Sequence, residues 1–448
     1  MNYSETIEYL AWLGHEVRGM KFGLEKITRL MAEVGNPHER YPSVIIAGTN
    51  GKGSVAAMIE AVFRAGGWRV GLYTSPHLLE VEERIRVNGQ PISREDFAIG
   101  ASLIRESAER LVSQRIIESL PSYFEFITAI GFDYFARQGI DLAVLEVGLG
   151  GRLDATNIAP PFVSVITAID IDHEEYLGST LASIAAEKAA VIKPGCQAVM
   201  ARQQPEAFEV LMRRCRMVDV TPVLAVGPVE ILDAESDGRF TFRYRSVSGR
   251  SWDIRLGLRG RHQIENALAA LEAVQIISRR GFPVSNDAVV RGLETVSWPG
   301  RLELIAGGDT APILLDGAHN TAGARALRRY LDEFGCHPLT LVFGVMRDKR
   351  VDEMAAELFP LADAIILTRV ADERAADLQW LARVASRYGS PVEAETPTHA
   401  LKRARAITPR GGMICVTGSL YLVGEVKRLL LGEDLSRSGA PERDRSWH

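Results

Sequence analysis

Short apolar segments alternate with segments of helical periodicity along most of the chain. Residues 43–47, 141–147 and 163–169 are apolar runs of strand length, with β-branched side chains and without polar alternation. Such runs are typical of strands covered on both faces. Residues 55–62 carry apolar side chains at the i, i+3, i+4, i+7 spacing of a helix with one buried face. Strands and helices that alternate in this way predict a mainly parallel sheet in an α/β fold.

The pattern changes at two later points. Between residues 218 and 254, short alternating segments such as 239–245 predict antiparallel strands, which we interpret as a β insertion. After a Trp-Pro-Gly break at 298–300, a second cycle of strands and helices begins. Its predicted strands lie at 312–315, 339–343, 364–367 and 413–416.

These patterns predict two domains and a tail. Residues 1–298 are predicted to form a mainly parallel sheet domain of the P-loop type, with a β insertion. Residues 299–432 form a smaller, Rossmann-like α/β domain, which is long enough to fold as a unit. Residues 433–448 are polar and charged, and we expect them to lack fixed structure.

The composition narrows the class of protein. Of 448 residues, 46% are hydrophobic and 24% are charged, which is ordinary for a globular chain with a core to bury. With a net charge of −5, the chain lacks the broad positive electrostatic field that proteins binding nucleic acids use. The four cysteines form no CxxC pair, and neither a signal peptide nor an apolar run of membrane-spanning length is present. We expect a cytoplasmic protein without a nucleic-acid or membrane partner.

The segment 43–54 carries the most specific chemistry. A buried strand leads into a glycine-rich loop and then into the helix, so that backbone N–H groups and the helix dipole can hold an anion. Lys52 can reach the β- and γ-phosphates of a nucleotide, and Ser54 can offer its hydroxyl to Mg²⁺. A glycine separates these two residues, unlike in GxxxxGK[ST]. The alternative is a strand–helix turn without a ligand. The nucleotide contacts predicted in this loop are Asn50, Gly51, Lys52, Gly53 and Ser54.

Two further strand ends carry candidate metal ligands. Glu146 ends the strand at 141–147, where an acidic side chain points into the crevice in which α/β proteins bind ligands. The glycine-rich run 148–154 follows it and brings Arg152 and Asp154 near the site. His173 follows the strand at 163–169. Alone it would be read as a structural histidine, but beside Glu146 and a phosphate loop we interpret it as a ligand.

Lys188 has an unusual predicted position. Within 180–192 the helical spacing places it on the same face as the apolar residues. A lysine on that face snorkels to solvent, pairs with an acid, or becomes neutral because desolvation lowers its pKa. A neutral amine can take up CO₂ and form a carbamate, which would add a carboxylate near the metal. Plain snorkelling is the alternative.

These segments together resemble the folylpolyglutamate synthase and dihydrofolate synthase family, within the Mur ligase superfamily. GTNGKGS and GLGGRLDATN favour the folate branch over the cell-wall branch. The matching motifs are GTNGKGS (48–54), YTSPHL (73–78), ERIRVNG (83–89), YFEFITA (123–129), EVGLGGRLDATN (146–157), LGSTLASIAAEKAAVIKPG (177–195), HQIENA (262–267), PGRLE (299–303), LDGAHN (315–320), FGVMRDK (343–349) and TGSLYLVG (417–424).

The resemblance implies a role for individual residues, carried over by position. The implied magnesium ligands, for two sites, are Ser54, Ser75, Glu146 and His173. The implied ATP contacts outside the loop are Asn266, Arg301 and Asp316, with nucleotide between the domains. Lys188 matches the lysine that is carbamylated in this superfamily. The implied catalytic residues are Lys52, His173, Lys188 and His319. The implied substrate contacts are Phe124, Leu153, Asp154 and Ala155 for the pterin–benzoate part, with Lys349, Ser419 and His319 near the incoming glutamate.

The implied activity is ATP-dependent amide formation through an acyl phosphate, with L-glutamate joined to dihydropteroate, to reduced folates, or to both. The partners are then small molecules, and we expect a monomer. One alternative is a cell-wall amino-acid ligase of the same fold, which would require a UDP-muramyl substrate. Another is a nucleotide-binding switch without chemistry, which would keep Lys52 but would not need Glu146, His173 or Lys188.

Overall fold

The computed structural model describes residues 1–14, 23–246 and 248–437, which divide into two compact units. Unit 1 comprises Met1–Asp233, Thr241–Gly257 and Gln263–Ser297. Unit 2 comprises Ala234–Phe240, Leu258–His262 and the chain from Trp298 onward. The chain therefore passes from one unit to the other five times, after residues 233, 240, 257, 262 and 297.

The large sheet of unit 1 is built from the buried apolar runs seen in the sequence. Its strands are β1 (Ser43–Ala47), β2 (Val70–Tyr73), β3 (Ile85–Val87), β4 (Gln90–Pro91), β5 (Leu142–Glu146), β6 (Pro161–Ile166), β7 (Gln197–Met200) and β8 (Val223–Leu224). They lie in the order β4-β3-β2-β5-β1-β6-β7-β8. All neighbours from β2 to β8 are parallel, and β3 and β4 extend the sheet in antiparallel fashion.

Helices surround this sheet. They are α1 (Tyr3–Leu13), α2 (Glu25–Glu33), α3 (Lys52–Ala65), α4 (Arg94–Ser113), α5 (Tyr123–Arg137), α6 (Glu174–Leu177), α7 (Leu181–Ala189) and α8 (Pro205–Met217). Side-chain caps fix several of their starts. A capping box joins Ser122 and Glu125 at the start of α5, for example. β1 and β5 are buried at every residue, so the apolar core lies on both faces of the sheet.

The predicted β insertion is a three-stranded sheet in the order β11-β10-β9, formed by β9 (Val229–Ala234), β10 (Phe240–Arg245) and β11 (Ser251–Arg255). In β10, Phe240, Phe242 and Tyr244 are buried and alternate with more exposed residues, and β10 pairs with β11 in antiparallel fashion. Two helices follow, α9 (Arg261–Arg279) and α10 (Asn286–Thr295).

Unit 2 contains a six-stranded sheet in the order β12-β13-β17-β14-β15-β16. The strands are β12 (Glu303–Ile305), β13 (Ile313–Leu315), β14 (Leu339–Phe343), β15 (Ala364–Thr368), β16 (Val392–Ala394) and β17 (Met413–Thr417). The pairing of β12 with β13 is antiparallel and the other pairs are parallel. The helices are α11 (Thr321–Phe334), α12 (Val351–Leu358), α13 (Leu378–Ala385), α14 (Pro397–Ile407) and α15 (Leu420–Arg437).

The predicted α/β fold, with a large parallel sheet and a second α/β sheet after residue 298, is confirmed. The last helix reaches Arg437 and so includes residues 433–437 of the predicted tail, whereas 438–448 lie outside the described residues. Among the helices of the described ranges, none is long and apolar enough to cross a membrane.

Candidate active site

The predicted phosphate loop and three of the predicted metal ligands lie at the ends of four adjacent parallel strands of unit 1. In the order β2-β5-β1-β6, Ser75 follows β2, Glu146 ends β5, the phosphate loop follows β1 and His173 follows β6. Because adjacent parallel strands have their carboxyl ends at the same end of the sheet, all four positions lie at that end. The backbone N–H of Ser75 donates to Glu146 Oε2 at 3.2 Å, which joins two of these positions directly.

The phosphate loop has no room for side chains at two of its glycines. A Cβ on Gly48 would lie 1.9 Å from Thr167 Oγ1, and one on Gly51, where φ is 88°, would lie 2.3 Å from Asn266 Oδ1. Lys52 Nζ donates to the carbonyl oxygens of Gly48 and Thr49, at 3.1 Å each. The Lys52 side chain therefore folds back onto the backbone of its own loop. It lies at the beginning of α3, where the helix dipole favours a bound anion.

Lys188 is buried, with 4% of its surface exposed. Its Nζ donates to Gly48 O at 2.8 Å, so the residue lies at the phosphate loop and does not snorkel to solvent. Burial, followed by the positive charge of Lys52, lowers the pKa of Lys188 to about 7, while Asp172 and Asp154 act in the opposite direction. The helical spacing left snorkelling, pairing and neutralisation open for Lys188, and the structure shows a buried amine.

The donor set at the sheet edge fits Mg²⁺. Ser54, Ser75, Glu146 and His173 supply two hydroxyls, one carboxylate and one imidazole, and Glu146 is 6% exposed. Throughout the described ranges, no three His, Cys, Asp or Glu side chains group closely enough to form an all-protein metal centre. Mg²⁺ does not need one, since it keeps waters and takes phosphate oxygens beside one or two protein ligands.

A cavity of about 230 Å³ lies in unit 1 beside the 148–154 loop. Phe124, Leu153 and Ala155, three of the predicted substrate contacts, line it together with Arg152. Asp154 has a different place. The residue is 2% exposed, and its two carboxylate oxygens accept from the N–H groups of Gly148, Leu149 and Thr156 and from the Thr156 hydroxyl. The structure therefore shows Asp154 organising the loop that carries its neighbours.

Glu125 is a residue of this cavity that sequence reasoning missed. Its Oε2 accepts from the N–H and hydroxyl of Ser122 and lies 3.5 Å from Lys26 Nζ. Its Oε1 is buried without a hydrogen-bond partner, while the residue lines the cavity. A buried acceptor of this kind is costly unless a ligand satisfies it. The capping-box spacing Ser122–Glu125 was visible in the sequence but indicated only a helix start.

In unit 2, several predicted residues gather around Gly317, after β13. Asp316 accepts from the N–H groups of Leu302 (2.9 Å) and Ala318 (3.0 Å), and burial raises its pKa while Arg301 lowers it. Arg301 Nη1 donates to Gly317 O at 3.1 Å, and His319 Nδ1 donates to the same oxygen at 2.8 Å. These three residues therefore form one cluster.

Two other predicted residues follow the neighbouring strands of unit 2. Ser419 follows β17, and its Oγ accepts from the N–H of Tyr421 at 3.2 Å. Lys349 follows β14 and lies 3.6 Å from Asp348 Oδ2. Since β13, β17 and β14 are adjacent and parallel, these residues belong to the same carboxyl edge of the second sheet as the cluster at Gly317. Asn266, the remaining predicted ATP contact, lies in unit 1.

Comparison with known proteins agrees with this arrangement. Residues 127–274 match the Mur ligase middle domain, and residues 300–420 match the Mur ligase glutamate ligase domain. The chain is 32% identical to the dihydrofolate synthase/folylpolyglutamate synthase of Bacillus subtilis, over 94% of this chain and 98% of that protein. The chain belongs to the dihydrofolate synthase/folylpolyglutamate synthase family of Mur ligases.

Two further relatives show the extent of the likeness. A Mycobacterium tuberculosis folylpolyglutamate synthase complexed with ADP matches with a TM-score of 0.88 and 34% identity, over 95% of this chain and 98% of that one. A Haloferax volcanii protein named probable bifunctional folylpolyglutamate synthase/dihydropteroate synthase is 35% identical over 95% of this chain. The chain spans only half the length of that relative. The predicted family and its class, ligases that form carbon–nitrogen bonds, are confirmed.

Proposed function

We propose that this chain uses ATP to join L-glutamate to dihydropteroate, to reduced folates, or to both. The observation that carries the proposal is the pairing, within unit 1, of a phosphate loop with a cavity that has an aromatic wall and an unsatisfied acceptor. The relatives named above, one of them complexed with ADP, support the same substrates.

The cavity suits the pterin end of such a substrate. A pterin is planar and carries N–H donors along one edge. The ring of Phe124 supplies an apolar face, and Glu125 Oε1 supplies the buried acceptor that these donors need. Leu153 and Ala155 form part of the wall, held by the hydrogen bonds of Asp154. The substrate carboxylate extends from this end toward the phosphate loop.

In the proposed reaction the substrate carboxylate attacks the γ-phosphorus of ATP and ADP leaves, which gives an acyl phosphate. The amine of glutamate then attacks the acyl carbon, and phosphate leaves. Phosphoryl transfer depends mainly on positioning and charge neutralisation. Lys52 turns from its own loop carbonyls to the phosphates, and the loop N–H groups hold them. Mg²⁺, held in two sites by Ser54, Ser75, Glu146 and His173, would neutralise phosphate charge when bound.

Other groups complete the proposal. Lys188, which is about half neutral at pH 7, shares the Gly48 carbonyl oxygen with Lys52 and is suited to carry a carbamate whose negative charge would pair with that lysine. In unit 1, Asn266 is a candidate nucleotide contact. In unit 2, Arg301 and Asp316 are candidates for the nucleotide, and His319, Ser419 and Lys349 for the glutamate. We propose a monomer in the cytoplasm, where the free thiols of Cys196, Cys215, Cys336 and Cys415 stay reduced.

Release of ADP tests the activity. We expect ADP release when the chain is given ATP, Mg²⁺, glutamate and either dihydropteroate or a tetrahydrofolate, and the ratio of the two rates gives its preference. Glu146→Ala should abolish the reaction. ADP release with a UDP-muramyl acceptor alone would favour the cell-wall alternative. If the biological function of the chain survives in Glu146→Ala, the alternative of a nucleotide-binding switch without chemistry is favoured.

A second variant tests the pterin end of the cavity. Glu125→Gln should raise the KM for the pterin substrate by about ten-fold with a much smaller change in kcat, because the charged acceptor is lost from binding. Glu5→Gln is the matched control, since Glu5 also forms a capping box, at the start of α1, but does not line the cavity. Equal KM values in the two variants would contradict the assignment.

A further inference from the structure

Two amides on helix α9 connect two parts of the phosphate loop. Gln263 and Asn266 are three residues apart, so they lie on one face of the helix. Gln263 Nε2 donates to Ser54 Oγ at 3.2 Å, and Asn266 Nδ2 donates to Gln263 Oε1 at 2.9 Å. Asn266 Oδ1 packs on Gly51 so closely that a Cβ there would be 2.3 Å away. The amides therefore link residues 51 and 54 on either side of Lys52.

The contacts of the Gln263 amide run in one direction. Its Oε1 accepts from Asn266, and its Nε2 end faces Ser54. Gln263 is 1% exposed and Ser54 is 4% exposed, so water cannot substitute easily for either partner. In a buried pair of this kind, the loss of one group leaves the other unsatisfied.

This contact determines what the Ser54 hydroxyl can do. A serine oxygen has two lone pairs and one hydrogen. The Gln263 N–H takes one lone pair, which leaves the other lone pair for a cation and the O–H for an acceptor. Without Gln263, the hydroxyl in the first turn of α3 is free to rotate and to donate to a backbone carbonyl of the loop that precedes the helix. A cation would then have to reorient it.

We propose that Gln263 is a positioning residue that holds the Ser54 hydroxyl ready for a divalent cation bound with nucleotide. The inference rests on the proposed function, because it requires a magnesium–nucleotide complex at this loop. Gln263 itself contacts neither group in this role. Its effect is therefore on the strengthening of nucleotide binding by Mg²⁺, and not on nucleotide binding in general.

Calorimetry with ADP, once with Mg²⁺ and once with EDTA, measures that strengthening as the ratio of two dissociation constants. Gln263→Met keeps the volume of the side chain but cannot donate. We expect this variant to reduce the ratio by about ten-fold, the size seen when a group that orients a metal ligand is removed. The affinity in EDTA should stay at the wild-type value.

Gln275→Met is the matched control. Gln275 is a second buried glutamine of α9, at 4% exposure, and it bonds Glu272, Ser246 and Ser248 instead of the loop. Its loss should destabilise the chain and leave the ratio unchanged. If Gln263→Met does not fold, Gln263→Asn takes its place, since the shorter amide cannot span both partners.

The possible results separate the two proposals. A wild-type ratio in the Gln263 variant, or an equal loss of affinity with Mg²⁺ and with EDTA, would overturn the inference alone. Wild-type protein that binds no ADP, or binds it without any effect of Mg²⁺, would overturn the proposed function and the inference together. If the strengthening of ADP binding by Mg²⁺ is reduced in the Gln263 variant and not in Gln275→Met, the inference is supported.

Discussion

At the scale of single residues, the burial of Lys188 determines how its carbamylation should depend on pH. Its pKa is about 7 in the folded chain, below the ordinary 10.5, so the amine is mostly protonated below about pH 7 and mostly neutral above it. Only the neutral amine combines with CO₂. At constant dissolved CO₂, we therefore expect the carbamate to increase from about pH 6 to about pH 8. Carbon-13 NMR with labelled bicarbonate measures it.

Lys188→Met identifies the source of the carbamate signal. This variant should lose the signal at every pH, whereas Lys193→Met, at another lysine whose pKa is lowered by burial, should keep it. A signal that persists in Lys188→Met would show that carbamylation occurs elsewhere.

The lowered pKa of Lys188 also has a consequence for folding stability. The unfolded chain binds more protons between about pH 7 and 10.5, so this amine favours the folded state increasingly as the pH rises through that window.

Sequence reasoning reached Lys188 but not Glu125, and the reason is physical. The helical spacing places Lys188 on an apolar face, so a local pattern was enough to single it out, although snorkelling stayed open. Glu125 and Gln263 look like ordinary cap and helix residues, because their roles depend on partners distant in sequence. Gln263 bonds a serine 209 residues away. Asp154 shows the opposite case. Its motif indicated a substrate contact, whereas its hydrogen bonds within the loop became visible only in three dimensions.

At the scale of elements, the loop 148–154 packs on the last turn of α7. Arg152 N donates to Glu187 O at 2.9 Å, and a Cβ on Gly151 would lie 2.7 Å from that oxygen and 3.1 Å from Lys188 Cα. Both contacts are with backbone, which cannot rotate away. Gly151→Ala should therefore push the loop from α7 and cost about 1–3 kcal/mol. We also expect it to lower kcat, since Lys188 moves with the helix.

Thermal melting and steady-state kinetics measure the two effects of Gly151→Ala. Gly411→Ala is the control, because a Cβ at Gly411 meets nothing within 4 Å and its φ is not in the left-handed region. It should be neutral or slightly stabilising. If both variants melt and turn over alike, the packing of the loop on α7 does not constrain the site.

The elements themselves were largely predictable. The buried run 43–47 coincides with β1, and 141–147 contains β5, because a strand covered on both faces needs only a short local stretch of apolar residues. The grouping of elements was not. Residues 234–240 and 258–262 belong to unit 2 although they lie within the predicted first domain. Their contacts are made with residues far along the chain, such as the hydrogen bond from the Tyr330 hydroxyl to Asp237 O.

At the scale of the whole molecule, the chain first enters unit 2 well before residue 298, in the turn between β9 and β10. The side chain of Asp237 stabilises that turn. Its Oδ2 accepts from Arg239 Nη1 at 2.8 Å and from Arg259 Nη2 at 2.9 Å. The Arg259 side chain is only 16% exposed. Asp237→Ala would leave this mostly buried guanidinium without its carboxylate, at a cost of about 1–3 kcal/mol. We expect this loss in the stability of unit 2, where all these partners lie.

Asp253→Ala separates this effect from the loss of any ion pair. Asp253 binds Arg243 through two hydrogen bonds in the same small sheet, but both side chains are about half exposed, and such pairs contribute little because water and salt screen them. Asp237→Ala should therefore lower the melting temperature and increase hydrogen exchange in α11, whose Tyr330 contacts the turn, while Asp253→Ala changes neither. Equal exchange in the two variants would mean that unit 2 folds without its early segments, so that the sequence break at 298–300 marks its true beginning.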